Sequence, residues 1–137
     1  MGSPRPLSKK QVLDLLTRKQ PLADMDMRGI DLSGVCFDGA DLARTKLAES
    51  NLSRATFRAS NLNNASLWHA ECRDTVFDGA CLEEADFDFA NLEGATFRGA
   101  KVKKAIFPQG RLPLEEVMES VRTGRKVRMQ QAVGEDE

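Results

Sequence analysis

Large apolar residues return at every fifth position along most of this chain. From position 27 to position 107, every fifth residue is apolar or a cysteine, and almost all are Leu or Phe. A second register of mostly small residues lies two positions before each of them. A period of five matches neither an α-helix, with a period of about 3.6, nor a β-strand, with a period of about two. It predicts a chain that turns after each pentapeptide, so that four pentapeptides, or 20 residues, close one square coil.

A stacking period of 20 residues places similar side chains above one another. One side of the coil would hold an internal stack of aromatic rings, formed by Phe37, Phe57, Phe77 and Phe97. The outward positions beside this stack alternate in charge, with Asp38, Arg58, Asp78 and Arg98. Because a pentapeptide is too short to bury its own large residue, neighbouring coils must stack to form a continuous core.

The repeated unit itself resembles a known family. The stretch from Ala90 to Gly94 reads Ala-Asn-Leu-Glu-Gly, and the stretch from Ala40 to Arg44 reads Ala-Asp-Leu-Ala-Arg. Both are similar to the pentapeptide-repeat family, whose consensus is roughly Ala-(Asp/Asn)-Leu-x-x. The resemblance covers residues 25–109, which are 85 of the 137 positions. It implies an all-β solenoid, a right-handed quadrilateral β-helix, and the matching length gives about four coils.

The flanking sequences predict that an α-helix caps each end of the solenoid. An open β-helix exposes unpaired backbone and apolar side chains at both ends. Before the repeats, Ser8 to Gln11 resembles a capping box, and Val12 opens an apolar helical face. We therefore expect four parts: an N-terminal helical cap at 1–24, the β-helix at 25–109, a C-terminal helix at 110–124 and a flexible tail at 125–137.

The predicted C-terminal helix has two interpretations. Pro113 suits its first helical position and Gly124 suits its end. Four apolar residues recur at helical spacing and form one stripe, namely Leu114, Val117, Met118 and Val121. As a lid, the stripe would cover the last coil. As a dimerisation element, it would pack on a second copy, as C-terminal segments do in some members of the family. The chain is thus expected to be a monomer or a homodimer through this helix.

Composition excludes several classes of partner. The chain has 20 basic and 21 acidic residues, so its total charge predicts no direct contact with nucleic acid. It has no run of about 18 apolar residues, and its first ten residues lack the apolar core of a secretory signal. Three cysteines without paired spacing fit a reducing compartment. These features predict a cytoplasmic protein without membrane contact.

Few residues could support catalysis. The single histidine, His69, would need a nearby Ser or Cys to form a catalytic set, and Cys72 occupies an inward position where its thiol should stay protonated. Cys36 and Cys81 fall on different faces, and with one histidine they cannot complete a zinc site. We expect no catalytic residues, no metal and no cofactor, and the chain is therefore predicted not to be an enzyme.

One exposed cluster is a candidate for partner binding. Trp68 and Phe89 occupy outward positions on the same face of successive coils, with His69 between them. Grouped exposed aromatic residues are enriched at binding hot spots. In the alternative interpretation, Trp68 and Phe89 only shield each other or lie under the C-terminal tail.

Two functions follow from this sequence. The first is a non-catalytic interaction or scaffold module of bacterial type that binds another, unidentified protein; some family members accompany secretion systems. The alternative comes from the resemblance, because some family members mimic DNA and modulate DNA gyrase. Basic residues interrupt the acidic faces that such mimicry needs, among them Arg58, Arg98, Lys101, Lys103 and Lys104.

Overall fold

The chain stacks on itself with a repeat of 20 residues. A computed structural model describes residues 5–130. Isolated parallel β-bridges join the first residue of each side to the residue 20 positions later, from Asp26 with Lys46 to Asp86 with Ile106. The described part of the chain has two helices, α1 (Lys9–Thr17) and α2 (Leu114–Thr123), and otherwise short bridged sides and turns. The predicted stacking period is confirmed.

The core is a column of large residues with no exposed surface. Leu32, Leu52, Cys72 and Leu92, one on each layer of the same side, are all fully buried. On the next side the predicted aromatic stack is confirmed, with successive ring centroids 4.8, 5.3 and 5.2 Å apart from Phe37 to Phe97. A second stack joins Phe87 to Phe107 at 5.4 Å, and Phe87 meets the first stack edge-on. This edge-on packing locks two sides of the coil together.

Each pentapeptide ends in a left-handed corner. The backbone φ is positive there whether the residue is a glycine, such as Gly94 at 80°, or not, such as Arg54 at 60°. Where a side begins with Asp or Asn, that residue supports the turn, since its side-chain oxygen accepts the N–H two residues later, as between Asn61 and Asn63 at 3.0 Å. This bond explains why the repeat prefers Asp or Asn at that position.

The outward charges also pair between layers. Arg58 donates its N–H to Asp38 at 2.8 Å, and its guanidinium lies 3.6 Å from the same carboxylate. The N–H of Arg98 likewise donates to Asp78 at 3.1 Å. These exposed contacts contribute little free energy individually, about 0–1 kcal/mol for each ion pair.

Helix α1 lies at the start of the first coil. The predicted capping box is present, because Ser8 accepts the N–H of Gln11 and Gln11 accepts the N–H of Ser8. Val12 on this helix is fully buried within the core. Just before the helix, the N–H of Leu7 donates to the carbonyl of Asp26 at 2.8 Å.

Helix α2 lies against the last coil. Its observed structure differs from two expectations. Pro113 is the N-cap rather than the first helical residue, whereas Gly124 ends the helix in a left-handed conformation as predicted. The apolar stripe does not act as one surface: Val117 is fully buried, while Leu114 and Met118 are 60% and 45% exposed. The reason is that Ser120, next to the stripe, accepts the N–H of Phe97 at 2.9 Å and turns that face toward the coil.

The segment after α2 is held against the coil as far as it is described, so the flexible tail predicted from residue 125 is wrong for residues 125–130. Val127 is fully buried and exchanges backbone hydrogen bonds of 2.9 Å with Gly94 and Ala95. Met129 donates its N–H to Glu93 at 2.8 Å. The segment adds a further layer because the last coil presents unpaired backbone groups at this edge. The rest of the predicted tail, 131–137, lies outside the described residues.

Candidate partner-binding surface

The stacking brings Trp68, His69 and Phe89 together on one outer face. Each follows a fully buried anchor, Leu67 or Phe87, so the inward residue fixes where the outward ring emerges. The N–H of His69 donates to the carbonyl of Asp88 at 3.0 Å and sets the register between the two layers. The aromatic residues therefore stand on backbone that is hydrogen-bonded between the two layers.

The three rings form a contiguous cluster, which we call the aromatic surface (Trp68, His69 and Phe89). The His69 ring stacks on Phe89 at 5.2 Å with an angle of 13°. Trp68 meets His69 at 4.4 Å and Phe89 at 6.1 Å, both edge-on. Even so, Trp68 remains 39% exposed and Phe89 62% exposed. The rings shield one another only in part, so apolar area remains available to another molecule.

Two residues of the aromatic surface sit at left-handed corners. His69 has φ of 57° and Phe89 has φ of 60°. A bulky side chain in this conformation costs about 1–2 kcal/mol relative to a right-handed one. Glycine fills the same corner in the first coil, at Gly29. An exposed phenylalanine here is therefore less favourable for stability than a glycine would be.

A groove runs beside the aromatic surface. It has a volume of about 550 Å³ and is lined by His69 and Phe89 together with Pro108 and Met129. Met129 belongs to the segment after α2, so that segment borders the aromatic surface without covering Phe89. Sequence reasoning missed this groove because Met129, which forms part of its second wall, lies in the segment that was expected to be flexible.

The residues with catalytic potential do not come together. Cys72 is fully buried, and burial raises the pKa of its thiol far above the usual range, so the thiolate is disfavoured. His69 is exposed, and its ring contacts Trp68 and Phe89. Within residues 5–130, no three His, Cys, Asp or Glu side chains are placed to hold a metal ion. The expectation of no enzyme and no cofactor stays a prediction.

The dimerisation candidates divide into two groups. Val117 faces the coil and Val121 is partly buried, whereas Leu114 and Met118 face outward. A second copy could thus reach only part of the predicted stripe.

Over the described range, neither helix is long and apolar enough to cross a membrane.

Comparison with known proteins identifies the family. The model of the pentapeptide repeat region matches residues 30–107, more than half of the chain. The chain belongs to the pentapeptide-repeat family. Proteins of this family form right-handed quadrilateral β-helices and are generally structural or interaction proteins rather than enzymes.

Solved pentapeptide-repeat proteins share this fold. One from Nostoc PCC 7120 has 26% identity and a TM-score of 0.71, with 86% of this chain and 97% of that chain covered. One from the thylakoid lumen of Arabidopsis thaliana has 32% identity and a TM-score of 0.59. That match covers 61% of this chain and 57% of the Arabidopsis chain. A search of curated proteins finds no match.

Proposed function

We propose that this pentapeptide-repeat protein is a non-catalytic interaction module that binds another protein through its aromatic surface. The observation that carries the proposal is the exposed cluster that Phe89 forms with His69 and Trp68. A rigid rod with a filled core offers fixed surface side chains rather than an enclosed reaction site. Tryptophan and other aromatic anchors supply much of the binding energy in protein interfaces.

We further infer that the helical parts close a solenoid of about four coils. Val12 from α1 and Val117 from α2 are both fully buried in the same core as the repeats, which supports the lid interpretation of α2. Leu114 and Met118 are exposed on α2. A homodimer through this helix therefore stays a prediction. Cytoplasmic location and a link to a secretion system also remain predictions.

The proposal can be tested by capture from an extract of the source organism. The double variant W68A/F89G should lose the proteins that the wild-type chain retains, because it removes both exposed anchors. The matched control is L13A, which truncates a residue that is 40% exposed on α1. L13A should retain the same proteins as the wild type.

The result that would reject the proposal is equal capture by the wild type and the double variant. The gyrase alternative predicts a different result, in which the purified chain changes DNA supercoiling by gyrase. No feature of the aromatic surface favours that alternative.

A further inference from the structure

The last coil is covered on two sides and open on the rest. Leu92 and Phe97 are fully buried, and the Phe97 side is completed by Ser120 of α2. The next two core residues, Val102 and Phe107, are only half-buried. One layer below, their counterparts Leu82 and Phe87 have no exposed surface. We call residues 101–107 the open edge.

The backbone of the open edge has unused hydrogen-bonding groups. One layer below, the N–H groups of Leu82, Glu84 and Phe87 donate to the layer above at 2.8, 3.0 and 2.7 Å. The N–H groups that repeat this pattern belong to Val102, Lys104 and Phe107, and nothing in residues 5–130 accepts them. The carbonyls of Ala100 and Ala105 also accept no N–H from this range. These groups match those that an added parallel strand would use.

The side chains of the open edge define what could bind there. Ile106 is 49% exposed beside the half-buried core residues, which makes the edge partly apolar. Lys101, Lys103 and Lys104 are exposed and form no ion pair with the carboxylates of residues 5–130. Lysines on an edge disfavour pairing with the same edge of a second copy. They favour a strand that carries carboxylates instead.

The layer below shows what such a strand would look like. Glu83 and Glu84 lie one layer below Lys103 and Lys104, in the register fixed by the bridge between Cys81 and Lys101. A strand of the same pattern above the lysines would place Leu over Val102 and two Glu over the two lysines.

From this geometry we propose that the open edge binds an extended acidic segment of a partner protein as an additional parallel β-strand. The partner's carbonyls accept the N–H groups of Val102, Lys104 and Phe107. Its apolar side chains cover Val102 and Phe107. Its carboxylates lie over Lys103 and Lys104 and are attracted by their positive charge, without a direct ion pair being required. This surface is distinct from the aromatic surface, so the two proposals stand or fall separately.

The probe is a fluorescein-labelled peptide, Ser-Leu-Glu-Glu-Ala-Asp-Phe, titrated with the full chain and followed by fluorescence anisotropy. It repeats the layer below the edge with Ser in place of Cys. We expect saturable binding that K103E/K104E weakens by about tenfold or more. The matched control is K9E/K10E, which makes the same charge change on α1 and should bind like the wild type. A peptide with Lys-Lys in place of Glu-Glu should prefer K103E/K104E.

Two further measurements separate strand addition from simple charge attraction. The same peptide N-methylated at its Asp cannot donate to the carbonyl of Ala105, in the way that Ile106 donates to Ala85 at 2.9 Å. N-methylation should therefore abolish binding. Equal binding of the N-methylated peptide, no binding of the parent peptide, or equal binding by K103E/K104E would each overturn the proposal.

Two other occupants of the open edge, a second copy and the chain's own acidic residues, would give different experimental results. Sedimentation that shows self-association abolished by K103E/K104E would assign the edge to a second copy and overturn the proposal. The variant E135Q/D136N/E137Q tests the chain's own acidic end. If it bound the peptide more tightly than the wild type, the edge would belong to that segment instead of a partner. Unchanged affinity, with a monomeric protein, supports the proposal.

Discussion

At the residue scale, Phe89 shows how a repeat can hold a side chain in a conformation that glycine prefers. Its φ of 60° is imposed by the pentapeptide corner, and the corner one layer below, at His69, has the same conformation with φ of 57°. The ring gains contact with His69 and Trp68, but 62% of the residue stays exposed. The packing therefore offsets the backbone strain only in part.

This strain predicts an unusual order of stability. Phe89→Gly should be more stable than Phe89→Ala by about 1 kcal/mol, because both lose the ring but glycine adopts the left-handed backbone without the steric cost that alanine carries. The free energy of unfolding from urea denaturation measures the difference. Trp68 is the matched control, since its φ is not positive. There the order should reverse, with Trp68→Gly less stable than Trp68→Ala by about 0.5–1 kcal/mol. The same order at both positions would contradict the argument.

At the element scale, the carboxylate of Glu116 is one of the groups that hold the segment after α2. Glu116 accepts the N–H of Arg128 at 3.1 Å and pairs with the guanidinium of Arg125 at 3.2 Å. These contacts tie the segment to the helix, while Val127 pairs with Ala95 on the coil. A charged acceptor makes a stronger hydrogen bond than a neutral one, although exposure to solvent reduces the difference.

Glu116→Gln should therefore loosen the segment without unfolding the solenoid. We expect the amide of Val127 to exchange its hydrogen about fivefold faster, which corresponds to about 1 kcal/mol of local stability. Hydrogen exchange followed by NMR measures this rate. Glu115→Gln removes the same charge from the same helical turn, and it should leave the rate unchanged. An equal increase in both variants would assign the effect to the helix dipole rather than to the contacts of Glu116.

The elements also show what the sequence can predict. The period of five fixes the stacking, the aromatic column and the meeting of Trp68 with Phe89, because these depend only on residues 20 apart being neighbours. The structure at the ends of the solenoid does not follow from the period of five. Whether Val117 or Met118 faces the coil is decided by which backbone donors the last coil leaves unpaired, such as that of Phe97. No local pattern within α2 records those donors, so the divided stripe and the bound segment at 125–130 were not predictable.

At the scale of the whole molecule, stability accumulates along the axis of the solenoid. Each layer contacts only the layers above and below, so a central core residue has two stacking partners and a terminal one has fewer. Phe77 stacks on Phe57 at 5.3 Å and on Phe97 at 5.2 Å. Phe107, at the open edge, stacks only on Phe87 among the rings of its column, at 5.4 Å, and is half-buried.

The two positions should therefore respond differently to the same truncation. Phe77→Ala should lower the free energy of unfolding by about 3–5 kcal/mol, since it opens a cavity between two layers and breaks both stacks. Phe107→Ala should cost about 1–2 kcal/mol, because part of its ring is already in contact with water. Urea denaturation measures both values, and Phe77→Leu, which keeps most of the volume, should fall between the wild type and Phe77→Ala. If Phe107→Ala cost as much as Phe77→Ala, the end of the solenoid would be as well covered as its middle. The open edge would then have to be closed in solution by a layer that residues 5–130 do not supply, and it would no longer be free for an added strand.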